Sequence, residues 1–125
     1  ITDKKRISKK IKKSLIEQFP KQKKTKYILK IEGFSETRGT VSDTTRKISR
    51  YKTVVSAKVK LYYRLKSYDK LIFQFEEKRS DSYSLILNNI RSTIASKNKA
   101  ETTSIRLLSE EIYKRVLVFL SENLD

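Results

Sequence analysis

The amino-acid sequence predicts an α+β fold: a two-layer sandwich with two helices packed on one face of a three- to four-stranded, largely antiparallel sheet. The expected element order is helix-strand-strand-strand-helix. Three observations predict it. An apolar residue recurs at every fourth position ahead of the chain's single proline, Pro20. A period of two runs unbroken through residues 51–66, and the helical period then returns over residues 92–122. At 125 residues the chain can bury one modest core, so residues 1–125 read as a single domain.

The first helix spans about residues 4–19. Ile7, Ile11, Leu15 and Phe19 draw a narrow apolar stripe, lysines and Arg6 fill the other faces, and Pro20 ends it. Such a basic amphipathic helix reads first as a solvated outer face on a helix docked to a sheet, with contact to a membrane surface or RNA as the alternative. A basic linker over residues 21–24 follows. From Lys26 the period changes to two, with Tyr27, Leu29 and Ile31 on one side of a strand that continues toward Phe34. Residues 35–49 are polar, carry Gly39 and Asp43, and read as a long hairpin tip.

The second strand is the clearest element. Tyr51, Thr53, Val55, Ala57, Val59, Leu61, Tyr63 and Leu65 share one face. Lys52, Lys58, Lys60, Tyr62 and Arg64 share the other, so one face is buried and the other basic. Residues 67–70 form a short turn into an antiparallel third strand over residues 71–78, with Leu71, Phe73 and Phe75 pointing inward. Residues 81–91 read as an irregular connection. In the last helix Ile94, Ile105, Leu108, Ile112, Val116 and Phe119 line one face, widened by Leu107, Leu117 and Leu120. Glu101, Glu110, Glu111, Lys114 and Arg115 decorate the other side, with Glu110 and Lys114 at a favourable spacing of four.

Composition excludes several kinds of chemistry. The chain has no Cys and no His, which removes disulfides, thiolate chemistry, the commonest general base and the commonest metal ligand. Two glycines cannot build a glycine-rich phosphate loop. Glu76 and Glu77 are adjacent on a strand and face opposite ways, a poor acid–base pair. The expectation is a non-enzymatic protein with no cofactor and no catalytic or metal site. The chain begins at Ile1 and contains no Met, which reads as a mature, N-terminally trimmed product. No apolar run is long enough to span a bilayer as a helix.

Thirty Lys and Arg against fourteen Asp and Glu give a net charge of +16 at pH 7, so a phosphate-rich partner is expected: nucleic acid, anionic lipid or lipopolysaccharide. Lys52, Lys58, Lys60 and Arg64 are the candidate basic sheet face. Either they meet an acidic surface or they keep a long strand from aggregating. A basic sheet with tyrosines also resembles, in outline, a platform for single-stranded RNA. The order of elements and the lack of a Gly-aromatic-Gly signature make a nucleic-acid-binding module the alternative.

In order and spacing the segments resemble the lipopolysaccharide-assembly lipoprotein family, LptE. The resemblance runs from Ile7 to Leu120. Its marks are the helix ending near Phe19, the strand from Tyr27 to Ile31, Arg50-Tyr51, and the long strand from Ala57 to Tyr63-Arg64-Leu65. Ser82-Tyr83, Ile94-Ala95-Ser96-Lys97 and the final helix from Leu108 to Val116 complete it. The resemblance implies a plug and scaffold inside an LptD-type outer-membrane β-barrel, helping to deliver lipopolysaccharide to the cell surface. It implies a place on the periplasmic side of the bacterial outer membrane, with a lipid anchor on an N-terminal Cys that this chain does not contain. No nucleic-acid partner is then expected. Basic residues at the hairpin tip and at the start of the last helix would contact lipopolysaccharide; the matching positions hold Arg46, Lys47 and Lys97. The family usually has a further strand before the first helix, so the sheet is expected to have three strands or a truncated fourth.

Overall fold

The structure, a computed structural model, describes residues 2–19, 26–41, 48–85 and 89–123. The order is α1 (Thr2–Gln18), β1 (Tyr27–Val41), β2 (Ile48–Arg64), β3 (Asp69–Ser84) and α2 (Ile90–Asn123). The strands form one antiparallel sheet in the order β1-β2-β3, with both helices on one face. The expected α+β sandwich is therefore the observed one, with three strands among the described residues.

The core is built from the stripes the periodicity marks. Ile7, Ile11 and Leu15 of α1 meet Val55, Ala57, Val59 and Leu61 of β2, and Ile105, Leu108, Ile112 and Val116 of α2 close the layer. Aromatic pairs seal the end away from the β1–β2 hairpin. Phe73 stacks on Phe119 at 4.3 Å between ring centroids, and Phe19 meets Tyr113 edge-on at 4.7 Å. Tyr63, read as core, is half-buried and packs edge-on against Tyr27.

Six expectations are corrected. β1 does not stop near Phe34 but stays paired with β2 to Val41, so most of the expected ragged tip is ladder. Its far half is polar because α1 covers only the near half, and the ladder with β2 holds it extended. β3 likewise runs on to Ser84 instead of ending near Lys78. Leu71 does not point inward: a register shift between Leu61 and Tyr62 pairs Leu71 with Tyr62 on the outer face, and Ile72 packs against the core in its place. Ile94 lies on the core-facing azimuth of α2 yet is 53% exposed, because the buried stretch of that helix begins only at Ala100.

Glu101 is the fifth correction. It does not decorate the surface. Its side chain is 9% exposed and lies between the helices, where Arg6 donates to both carboxylate oxygens at 2.6 and 3.0 Å and Lys10 donates at 3.0 Å. Glu110 pairs with Arg106 at 3.1 Å rather than with Lys114.

Gly33 sets how closely α1 approaches the sheet. It is buried opposite Ala57, and Ser8 Oγ accepts its N–H at 2.9 Å. A Cβ there would stand 2.6 Å from Ile11 Cδ1 and 3.1 Å from Ile7 Cγ2. Gly33→Ala is therefore expected to cost about 1–2 kcal/mol, overpacking outweighing the gain from a stiffer unfolded chain. Adding Ile11→Val, which removes the clashing methyl, should recover part of that loss in a double-mutant cycle of denaturant midpoints. Strict additivity would show that Gly33 does not set the approach.

Candidate anion-binding face of the sheet

The helices cover one face of the sheet and leave the other to solvent. Because side chains alternate along a strand, the even-numbered residues of β2 point to the open side. Lys52, Lys58, Lys60 and Arg64 are all exposed there, as the period predicts. The neighbouring strands decide what each of them can do.

Lys58 stands between Glu32 of β1 and Glu76 of β3, and Arg64 stands opposite Asp69. Opposite charges facing each other across a ladder stabilise the sheet, so these two cations have a structural role at hand. Lys60 instead faces Lys30, with Gln74 on its other side. Two like charges directly opposite cost stability. The Lys30 ammonium sits 4.9 Å from the centre of the Tyr62 ring, which offsets part of that cost. Lys52 faces Arg38, whose guanidinium is held by Glu36 at 2.7 Å. The face thus carries two cationic rows, Lys30–Lys60 and Arg38–Lys52, roughly 27 Å apart along the strand and separated by the row holding Lys58.

From the Arg38–Lys52 row toward Lys58 runs an open trough of about 740 Å³, lined by Phe34, Val54 and Ser56 and by charges of both signs, Lys52, Lys58 and Lys78 with Glu36 and Glu76. An anion entering the Lys30–Lys60 row would relieve their mutual repulsion and accept charge-assisted hydrogen bonds from both. Lys30, Lys78 and Arg38 were missed in the sequence because their place beside β2 depends on strand register. The alternation in β1 did set Lys30 apart from Leu29 and Ile31, which was the available signal.

Lys97 is exposed in the third turn of α2. It belongs to the helix layer and does not join the sheet-face lysines. Arg46 and Lys47 lie outside the described residues. The topology puts the start of α2 at the end of the sandwich where β1 finishes, β2 begins and β3 finishes. On the helix-facing side of that end Tyr51 and Tyr83 stack at 5.5 Å, and burial, with Tyr51 adding to it, raises the Tyr83 phenol above its ordinary value.

Among the described residues no group of three or more Asp or Glu could hold a metal ion. No helix among them is long and apolar enough to cross a membrane. Glu76 and Glu77 do face opposite ways: Glu76 is exposed in the Lys58 row, while Glu77 binds Arg115 at 3.2 Å on the helix side.

No protein-family model matches the chain, and no curated protein matches its sequence. Solved structures do match its fold. A candidate lipoprotein of Caulobacter crescentus CB15 superposes with a TM-score of 0.68 at 12% identity, over 93% of this chain and 84% of that one. A minor lipoprotein of Acinetobacter baumannii superposes with a TM-score of 0.58, also at 12% identity, over 87% of this chain and 79% of that one. The chain shares its fold, α-β-β-β-α with one antiparallel sheet, with these two lipoproteins.

Proposed function

We propose that the chain is a non-enzymatic envelope lipoprotein domain that binds lipopolysaccharide on the open face of its sheet. In this reading it acts as a plug and scaffold for an LptD-type β-barrel, held at the periplasmic side of the outer membrane by a lipid anchor. The observation that carries the reading is the uncovered Lys30–Lys60 row beside Tyr62, a like-charge pair that an anion would stabilise. A second cationic row and the trough beside it suit a ligand with several spaced phosphates or acidic sugars. The fold shared with two proteins named as lipoproteins supports the envelope setting. Lys97, at the hairpin end of the helix layer, serves as a separate contact.

The RNA alternative has less to stand on. Of the aromatic side chains on the strands, the open face carries Phe34 and Tyr62, whereas Tyr27, Tyr51, Tyr63, Phe73, Phe75 and Tyr83 lie on the helix side. Stacking several bases in a row needs more rings on one face than that.

Lys30→Glu with Lys60→Glu is expected to weaken lipopolysaccharide binding about tenfold or more in calorimetry. Lys58→Gln in the mixed-charge row, which removes one charge already set between two carboxylates, should matter much less. Unchanged affinity in the Lys30/Lys60 double variant would overturn the assignment of this face.

A further inference from the structure

Helix α1 carries seven cations, and internal ion pairs use three of them. Lys4 reaches Glu32, and Arg6 and Lys10 hold Glu101. Lys5, Lys9, Lys12 and Lys13 are exposed and have no ion-pair partner among the described residues. At 3.6 residues per turn these four and Ile16 fall within an arc of about 100°, turned away from the buried Ile7 and Ile11. Ile16 sits near the middle of the arc and is 70% exposed.

A merely solvated helix face would be expected to mix its charges. α2 does so, pairing Arg106 with Glu110 one turn away. On α1, Lys9 has like-charged neighbours at spacings of three and four in Lys5, Lys12 and Lys13, and such pairs weaken a helix. The sequence keeps that repulsion and places its most exposed α1 isoleucine among the lysines. Four ammonium groups around one aliphatic side chain match a surface that is anionic outside and apolar just beneath. The face is the convex side of a single helix, which cannot enclose a small ligand but can lie along a flat, fluid one.

We propose that the outward face of α1 is a docking surface for an anionic phospholipid bilayer. The four lysines meet headgroup phosphates and Ile16 enters the boundary between headgroups and acyl chains. The proposal stands on α1 alone, in the layer opposite the open sheet face, so its failure leaves the lipopolysaccharide reading where it was.

The chain has no tryptophan, so Ile16→Trp supplies a single reporter in the middle of the arc. Its emission is expected to shift to the blue with vesicles of phosphatidylcholine containing phosphatidylglycerol at low salt, and not with pure phosphatidylcholine. Replacing Lys5, Lys9, Lys12 and Lys13 together by Gln should reduce partitioning by about fivefold per lysine. The same change at Lys52, Lys58, Lys60 and Arg64 removes as much charge and should reduce it far less. Those α1 lysines are exposed and lie outside the core cluster, so thermal stability should stay level or rise. No blue shift, or an equal loss in the two quadruple variants, would overturn the proposal. So would an α1 variant that keeps vesicle binding while losing affinity for single-stranded RNA.

Discussion

Ile112→Ala is expected to lower folding stability by about 3–4 kcal/mol and the melting temperature by about 10–15 °C. Ile112 is 0% exposed in the cluster that joins both helices to β2. Truncation removes the transfer energy of its side chain and leaves a void that neighbouring helix and strand backbones cannot close. Ile94→Ala makes the comparison sharp. The same face of the same helix carries it, but it is 53% exposed, so its truncation should cost about 0.5 kcal/mol or less. Equal losses from the two truncations, measured by denaturant unfolding, would show that α2 sits on the sheet with its turns displaced.

The second large effect is expected at Glu101. Arg6, by hydrogen bonding, holds its carboxyl below the ordinary value of 4.5; burial opposes this, and hydrogen bonding from Lys10 adds to it. A carboxylate favoured in the folded state contributes stability that is present above the unfolded value and is lost as pH falls through the folded one. Stability should therefore hold down to about pH 5 and decline below it. Glu101→Gln is expected to cost about 1–3 kcal/mol at pH 7, less than a fully buried pair would, because Arg6 and Lys10 remain 44% and 48% exposed and can regain water. The gap between the two proteins should narrow as acid is added. A gap that stays constant from pH 7 to the acid limit would mean that the charge of Glu101 contributes nothing.

Glu101 also shows where sequence reading stopped. On a helical wheel it looks like the polar residues around it, and only the docking of α1 turns it into the centre of an interhelical cluster. Arg6 and Lys10 are separated from it by 95 and 91 residues. Local pattern carries no information about such a partner. Leu71 is a subtler case: counting by twos from Phe73 puts it inward, and one extra residue at the bulge sends it out. A strand's facing is legible only while its register is unbroken.

The candidate site divides in the same way. Period two by itself put Lys52, Lys58, Lys60 and Arg64 on one face, because alternation is a property of the single strand. It could not tell Lys58, set between Glu32 and Glu76, from Lys60, set against Lys30. That distinction needs the residue across the ladder.

The element order, the single sheet, the apolar stripes of α1, β2 and most of α2, and the side of β2 that faces water were all legible in the residue pattern. Each of these follows from side-chain direction within a few turns of helix or a few residues of strand. Tertiary structure alone decided the burial of Glu101, the seat of α1 over Gly33, the exposure of Ile94 and the pairing of the sheet lysines. Those depend on which distant element arrives opposite a residue, and long-range packing, not local periodicity, sets that.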